Sequence, residues 1–376
     1  MTIAEIRKVC FVGAGTMGCA NSLVAAISGY KVIIYDVSEE NLSRVPAIHK
    51  EMTAYLLATG YCSEEDAIAG LARVSCTTDL ATAVAEADLV SESVFEDLAL
   101  KRKVHKQLDG ACPAKTILTT NTSALLVSDL EDVVERGERF AALHTHLGSP
   151  LVDIVGGPRT SHATIDVLTR YVLSTKGVPL VLRHENKGYV LNAMLGPVLT
   201  TALILVIDGA ASMQDVDRAW MRSNSAAMGP FGLMDQFGLN LIHDSWRHRQ
   251  PDPAGDVLAP KILTFVEPYI ERGDLGARAG RGFYQYPEPE YAEPEFLAGD
   301  SDTSVARNAM TSSLIGNAIL LAANDVLPPA EIDQAWTVGM SLEKGPFAIL
   351  DEMGSDAFIA LLESPASALP PEQAEQ

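Results

Sequence analysis

Short apolar runs alternate with helix-periodic segments over roughly the first half of the chain. Runs rich in β-branched residues predict strands, and the apolar spacing over residues 21–27 predicts a helix between the first two strands. The predicted strands cover residues 9–12, 31–35, 87–90, 116–120 and 140–143. Strands that alternate with helices form parallel sheets covered on both faces. The pattern therefore predicts an N-terminal α/β domain with a doubly wound parallel sheet over residues 1–184.

From about residue 185 the apolar residues recur only at helical spacing, and strand-like runs stop. This region contains an internal repeat in which every matching pair is 116 residues apart. The pairs are Asn192–Ala193–Met194 with Asn308–Ala309–Met310, Asp217 and Trp220 with Asp333 and Trp336, and Gly229–Pro230–Phe231 with Gly345–Pro346–Phe347. A constant offset without gaps indicates duplication of a structural unit. We therefore predict two tandem all-α domains, over residues 185–290 and 300–364, joined by a connector rich in proline and acidic residues.

Composition narrows the possible functions. Hydrophobic residues make up 47% of the 376-residue chain and charged residues 20%, which is typical of a globular protein. The net charge of −21 argues against binding to nucleic acid. The longest apolar stretch, residues 194–207, is too short for a membrane span. The five cysteines show no metal-ligand spacing, so we expect reduced thiols, a cytoplasmic location and no metal site.

The loop after the first predicted strand reads GAGTMG, which fits the pattern G-x-G-x-x-G. Gly13 permits a tight turn, Gly15 lets a pyrophosphate approach the backbone, and Gly18 allows close packing of helix and strand. Thr16 and Met17 open a helix whose free N–H groups face the phosphates. Because the motif follows a strand and opens a helix, it predicts a Rossmann-type dinucleotide site.

Asp36 ends the second predicted strand. A carboxylate at this position can accept hydrogen bonds from the ribose hydroxyl groups of a dinucleotide, and it repels a 2′-phosphate. Asp36 therefore favours NAD over NADP as the cofactor. The alternative interpretation is an ordinary glycine turn followed by a surface aspartate.

Further motifs in the same order give the chain a family resemblance. They read ADLVSESVFEDLALK, NTSALLVSDL, RFAALH, GYVLNAM, MGPFGLMD and GRGFYQY. With GAGTMG, the chain resembles the L-3-hydroxyacyl-CoA dehydrogenase family over residues 8–282, and the repeat extends the resemblance to about residue 362. The resemblance implies an oxidoreductase that transfers a hydride between a 3-hydroxyacyl thioester and NAD.

The resemblance also implies residue roles. Glu96 and Lys101 match residues near the nicotinamide end of the cofactor, and Asn121 matches a residue that contacts both cofactor and substrate. A second set, implied to be catalytic, consists of the general base His144, the substrate-binding Ser123 and the positioning residue Asn192. A neutral imidazole is a suitable base near neutral pH. The structural alternatives are a hydrogen-bonded histidine, an NTS turn or cap, and a helix cap.

The chain departs from the family pattern after His144. The family has a glutamate twelve positions beyond its histidine, where an ungapped alignment places Gly156. Asp153 is three positions earlier, so on an extended strand it faces the other side, and it could replace the glutamate only through a bulge or a turn. Without an acid partner, His144 would give low activity or require alkaline pH. His146 has the parity of His144 and is an alternative base.

Three functions remain open from the sequence. The first is dehydrogenation of a 3-hydroxyacyl-CoA, for which Lys101, Arg102 and Lys103 could bind the CoA nucleotide, unless they form a solvated helix face. The second is the same chemistry on a free β-hydroxy acid, a carrier-bound acyl group or another β-hydroxy substrate. The third is an NAD-binding protein with weak catalysis.

The repeat predicts an intrachain pseudo-dimer. Residues 194–207 are apolar on nearly every side, so this helix must be buried on several sides. The second helical copy could supply the surface that another subunit supplies in the family. A homodimer remains the alternative.

Overall fold

A computed structural model describes residues 6–249 and 253–363. The chain forms two compact units. Of the described residues, 6–190 and 325–327 form the first, and 191–249, 253–324 and 328–363 form the second. Most of both predicted helical copies lies in the second unit. Residues 185–190 of the first copy and 325–327 of the second belong to the first unit instead, and residues 250–252 and 364 lie outside the described residues.

The first unit contains one eight-stranded sheet in the order β3-β2-β1-β4-β5-β6-β7-β8. All pairings are parallel except that of β6 with β7. The strands are β1 (Lys8–Val12), β2 (Lys31–Tyr35), β3 (Val74–Thr77), β4 (Leu89–Glu92), β5 (Ile117–Thr120), β6 (Phe140–Thr145), β7 (Leu151–Gly156) and β8 (Val178–Leu182). The predicted Rossmann-type parallel sheet is confirmed.

Six α-helices belong to the described part of this unit: α1 (Thr16–Ile27), α2 (Glu39–Ala58), α3 (Glu64–Leu71), α4 (Leu80–Val84), α5 (Leu98–Ala111) and α6 (His162–Ser174). Side chains cap several of them. Ser38 accepts a hydrogen bond from Asn41 N, and Ser63 with Asp66 forms a capping box. Such caps satisfy N–H groups that the first helical turn leaves unpaired.

Three strands were not predicted from the sequence. The four residues of β3 are at best half-buried, so they lack an apolar pattern. Asp153 interrupts the apolar run of β7, although it is itself fully buried. Pro179 lies in β8, where proline is tolerated because β8 is an edge strand. These three strands lack a clear strand pattern in the sequence, and they form because their neighbours in the sheet pair with them.

The strand order creates a switch point between β1 and β4, because β1 pairs with both β2 and β4. Ligands of such sheets bind beyond the carboxyl ends of the strands at this point. The strands β1, β4, β5 and β6 are mutually parallel, so the residues that follow them meet at one edge. The candidate active site lies along this edge.

The second unit is helical, as predicted. Its α-helices are α7 (Leu191–Ile207), α8 (Met213–Asn224), α9 (Pro230–Phe237), α10 (Leu239–Arg247), α11 (Pro253–Arg272), α12 (Ser304–Ala323), α13 (Pro329–Met340), α14 (Pro346–Met353) and α15 (Ser355–Glu363). The first helix of each copy, α7 and α12, pack against each other. No helix among the described residues is long and apolar enough to cross a membrane.

The two helical copies share their local hydrogen bonding. Asp217 accepts hydrogen bonds from the backbone N–H groups of Phe231 and Gly232, and Asp333 accepts the corresponding pair from Phe347 and Ala348. The rings of the equivalent residues Trp220 and Trp336 meet edge to face, with centroids 6.2 Å apart. Residues 116 positions apart thus have equivalent structural roles, and the two copies pack against each other.

Candidate active site

The glycine loop that follows β1 has the backbone shape its sequence predicts. Gly13 has φ of +104°, and a Cβ atom there would lie 2.7 Å from the carbonyl oxygen of Ser93. A Cβ atom at Gly18 would collide with the carbonyl oxygen of Gly13. At Gly15, the N-cap of α1, a Cβ atom would have no neighbour within 4 Å. This open space in front of a helix N-terminus fits the pyrophosphate of a dinucleotide.

Asp36 is held against this loop. Its Oδ2 accepts a hydrogen bond from Ala14 N at 2.8 Å, and its Oδ1 accepts from Ser38 N at 2.9 Å and from Asn41 Nδ2 at 3.2 Å. The side chain is therefore fixed in orientation, and it also anchors the glycine loop. This second role was not inferred from the sequence.

A buried charged cluster lies at the carboxyl end of β4. Glu92 accepts hydrogen bonds from Lys101 Nζ at 2.7 Å, His105 Nε2 at 3.1 Å and Thr120 Oγ1 at 2.7 Å. Burial opposes the charge of Glu92, but the hydrogen bond from His105 and the charge of Lys101 outweigh it and hold its pKa at about 2. A signal was available in the sequence, because Lys101 and His105 are four residues apart on one face of α5.

Lys101 also connects this cluster to the NTS turn. Its Nζ lies 3.3 Å from Oε2 of Glu96, whose other oxygen accepts hydrogen bonds from Ser123 N at 2.9 Å and Ala124 N at 3.0 Å. Glu96 therefore fixes the turn that presents Ser123. The lysine itself is only 1% exposed.

The sequence-based role of the basic run as a CoA contact is wrong for Lys101, as is the alternative of a solvated face for this residue; for Arg102 and Lys103 the role stays a prediction. Lys101 is buried among carboxylates. Arg102 donates to Asp129 O at 2.6 Å and to Asp132 Oδ2 at 2.7 Å. Only Lys103 is exposed.

Asn121 joins the ends of β5 and β6. Its Oδ1 accepts hydrogen bonds from Thr145 N at 2.9 Å and from Thr145 Oγ1 at 3.1 Å. The amide oxygen is thereby occupied, and the amide N–H groups are the donors that Asn121 can offer to a ligand. His144 precedes Thr145, so this contact also fixes the end of the histidine strand.

His144 has an acid partner, which corrects the sequence-based interpretation. In the antiparallel pair of β6 and β7, His144 stands directly opposite Asp153, whereas Gly156 stands opposite Ala141. His144 Nδ1 lies 2.8 Å from Asp153 Oδ2. Asp153 is therefore the acid partner of His144 across the strand pair, and neither a bulge nor a displaced strand is needed. The expectation of an unpaired imidazole, with low activity or an alkaline optimum, loses its basis.

His146 donates to the same carboxylate oxygen, with its Nε2 at 2.9 Å from Asp153 Oδ2. Burial would raise the pKa of Asp153, but the hydrogen bonds from both imidazoles hold it below its ordinary value. Burial lowers the pKa of His144, and the hydrogen bond that His144 donates to Asp153 opposes this change without cancelling it. An ionised Asp153 accepts the Nδ1 proton of His144, which leaves Nε2 as a base.

The structure places the remaining predicted residues in two units. Tyr189, which the sequence analysis did not select, packs its ring 5.3 Å from that of His144 within the first unit. Asn192 lies in the first turn of α7, in the second unit. The roles of Ser123 and Asn192 stay predictions.

Comparison with known proteins decides the family. The sequence model of "3-hydroxyacyl-CoA dehydrogenase, NAD binding domain" matches residues 8–185. That of "3-hydroxyacyl-CoA dehydrogenase, C-terminal domain" matches residues 188–286 and again 306–376. The chain belongs to the 3-hydroxyacyl-CoA dehydrogenase family. The predicted family, NAD cofactor, oxidoreductase class and hydride transfer with 3-hydroxyacyl-CoA are thereby confirmed. The duplicated C-terminal match agrees with the internal repeat.

Three relatives illustrate the range of this family. The chain is 30% identical to the mitochondrial hydroxyacyl-coenzyme A dehydrogenase of Rattus norvegicus over 75% of this chain and 91% of that protein. It is also similar to a diketoreductase of solved structure, which is reported to have dual catalysis of dicarbonyl compounds. The identity is 31% over 75% of this chain and 100% of that one, and the TM-score is 0.69. The 3-hydroxybutyryl-CoA dehydrogenase of Escherichia coli K12 shares the fold over 99% of this chain and 98% of that one, with a TM-score of 0.78 and 21% identity.

Proposed function

We propose that His144 is the general base that removes the hydroxyl proton of the substrate, with Asp153 as its acid partner. The observation that carries this proposal is the 2.8 Å contact between His144 Nδ1 and Asp153 Oδ2. A buried carboxylate that accepts the Nδ1 proton fixes the tautomer and stabilises the imidazolium that forms. Bound NAD supplies the hydride acceptor at the neighbouring glycine loop.

Other residues orient the substrate in this proposal. Asn121 offers its amide N–H groups, since its oxygen is bonded to Thr145. Ser123, in the turn fixed by Glu96, hydrogen-bonds the reacting oxygen. Asn192 keeps the substrate-positioning role that the family resemblance implies. His146 is a second partner of Asp153 in this proposal, with its Nε2 bonded to the carboxylate, and the family resemblance assigns the base to His144.

The test is NADH formation from 3-hydroxybutyryl-CoA and NAD, followed at 340 nm. Loss of the base lowers kcat by about two to four orders of magnitude, so we expect His144→Ala to do so without changing NAD affinity. The exposed histidine at the start of α6 provides the matched control, His162→Ala. Unchanged turnover in His144→Ala, or an equal loss in His162→Ala, rejects the assignment.

A second candidate substrate class is a β-hydroxy or dicarbonyl compound without CoA. Two observations favour it. The first is that Lys101 is buried and Arg102 is paired with Asp132, so neither is a free cation for the CoA nucleotide. The second is the 31% identity to the diketoreductase. The two classes differ in the value of kcat/KM for 3-hydroxybutyryl-CoA relative to free 3-hydroxybutyrate. A ratio above ten supports the thioester, and a ratio below one supports the free compound.

The third alternative, an NAD-binding protein with weak catalysis, loses its main support. Its support was the missing glutamate, and Asp153 supplies a carboxylate to the same imidazole. We retain a cytoplasmic location as a prediction supported by five free cysteines.

We also propose that the second helical copy takes the place of a partner subunit. The packing of α7 on α12 and the contact between Trp220 and Trp336 support this pseudo-dimer. Light scattering after size exclusion then gives a monomer of about the chain mass of 40.2 kDa. A stable dimer of twice that mass contradicts the proposal.

A further inference from the structure

Three metal-ligating side chains converge beside the proposed base. His144 and His146 are two residues apart on β6, so they share one face of the strand. Asp153 lies opposite His144 on β7. One ligand atom from each residue lies within 4.8 Å of the others. The two imidazole rings are inclined by 75° with centroids 4.4 Å apart. Nδ1 of His144 and Nε2 of His146 both point to Oδ2 of Asp153.

A second observation shows that this cluster has unused ligand capacity. Asp153 is fully buried, and its Oδ1 has no hydrogen-bond partner among the described residues. A buried carboxylate oxygen without a partner carries a large desolvation cost, which the positive charge of a cation bound to the same carboxylate would offset. The geometry of the cluster and the vacant oxygen therefore point to the same ligand, a cation.

The donor set selects the class of cation. Two imidazole nitrogens and one carboxylate oxygen are typical of Zn²⁺ and similar transition-metal ions, with Zn–N and Zn–O distances of about 2.0–2.2 Å. Mg²⁺ and Ca²⁺ prefer oxygen ligands, and in this cluster only the side chain of Asp153 has oxygen atoms. Three protein ligands leave a fourth position for water.

We propose that His144, His146 and Asp153 form an inhibitory binding site for Zn²⁺ or a related divalent transition-metal ion. The inhibition, though not the binding, rests on the proposed role of His144. The metal takes the place of the two N–H protons that now point to Asp153 Oδ2. On each ring one N–H bond breaks, a metal–nitrogen bond forms, and the proton moves through solvent to the other ring nitrogen, so no proton is lost.

The tautomer change explains why the bound metal inhibits. His144 uses Nδ1 for Asp153 in the metal-free protein, and Nε2 is the basic atom. When Nδ1 binds a metal, the neutral imidazole carries its proton on Nε2 and cannot accept one from a substrate. The glycine loop is not part of the cluster, so NAD affinity stays unchanged.

The first test measures binding without substrate. Purified full-length protein competes for Zn²⁺ with a chromophoric chelator, and Co²⁺ reports coordination through its visible absorption. We expect one Zn²⁺ per chain with micromolar or tighter affinity, at least tenfold weaker binding in His146→Phe, and an intense four-coordinate Co²⁺ spectrum. Asp153→Asn provides a second variant if His146→Phe does not fold by circular dichroism.

Two control variants address adventitious sites. His162→Phe removes an exposed histidine, and Cys76→Ser removes an exposed thiol. The proposal predicts unchanged Zn²⁺ affinity in both. If either control abolishes binding, or if both cluster variants bind Zn²⁺ as the wild type does, the site is elsewhere and the proposal is wrong.

The second test measures inhibition. Zn²⁺ at a free concentration equal to its dissociation constant should halve the rate of NADH formation, and EDTA should restore the rate. The inhibition constant of each protein is measured against its own uninhibited rate. This constant should be at least tenfold higher in His146→Phe than in wild type. Full activity with Zn²⁺ bound at His146 overturns the inhibitory role. Binding that depends on His146 in a protein without turnover rejects the proposed function instead and leaves the metal site standing.

Discussion

His144 Nδ1 lies 2.8 Å from Asp153 Oδ2 because the two residues are direct partners in an antiparallel pair of strands. Partners in such a pair project to the same face of the sheet. Asp153 therefore orients the imidazole of the proposed base without any local distortion of β7.

Replacing Asp153 by asparagine should lower kcat far more than it changes KM. The amide N–H groups of asparagine favour the wrong tautomer of His144, and the negative charge that stabilises the imidazolium is lost; the equivalent change in a Ser-His-Asp protease lowers kcat about 10⁴-fold. We expect a loss of about two to four orders of magnitude in NADH formation. The control is Asp166→Asn on the exposed face of α6. A loss below tenfold contradicts the role of Asp153.

Alanine at two glycines of the loop after β1 should separate cofactor binding from folding. Gly15→Ala places its Cβ atom in open space at a φ of −76°, so the free energy of unfolding should stay within about 0.5 kcal/mol of wild type. NAD affinity should fall at least tenfold, since the methyl group occupies the space proposed for the pyrophosphate. Gly18→Ala forces its Cβ atom onto Gly13 O and should destabilise the fold itself. Calorimetric NAD titration and urea unfolding measure the two effects, and normal NAD affinity in Gly15→Ala would place the pyrophosphate elsewhere.

Removing the ammonium group of Lys101 should unbalance the buried cluster at Glu92. Breaking a buried ion pair on one side costs about 3–5 kcal/mol, because the remaining charge is left without its partner. We expect Lys101→Met to lower the free energy of unfolding in urea by about that amount. The exposed neighbour gives the matched control, Lys103→Met, with a change of about 0.5 kcal/mol or less. Similar stability of the two variants would show that the pair with Glu92 is dispensable.

His49 should contribute to the loss of stability in acid. Burial lowers the pKa of His49 below its ordinary value of 6.5, and the hydrogen bond to the Cys19 carbonyl opposes the change only in part. The unfolded chain therefore binds a proton that the folded chain does not, so this contribution is complete above pH 6.5 and is lost as the pH falls through the lower folded value. The free energy of unfolding should fall between about pH 7 and pH 5 more steeply in wild type than in His49→Gln. The exposed His162→Gln should follow the wild type, and parallel curves for all three proteins would refute the argument.

The sequence determined the parts of this protein that depend on local pattern. The apolar runs that precede Gly13 and Asp36 identified the cofactor-binding end of the sheet. This was possible because the strand, the glycine turn and the helix are formed by neighbouring residues. The constant offset between Trp220 and Trp336 identified the duplication. These conclusions needed no knowledge of which strands pair.

The tertiary structure decided the parts that depend on contacts between distant residues. Along β7, residues 153 and 156 face opposite sides, as their spacing predicts, but only the pairing of β6 with β7 shows that residue 153, and not residue 156, faces His144. Lys101 belongs to an amphipathic helix in sequence, yet the end of β4 places Glu92 against it and buries both charges. In each case the partner is chosen by strand register, which is set by sheet packing and turn length and is not encoded in any single segment.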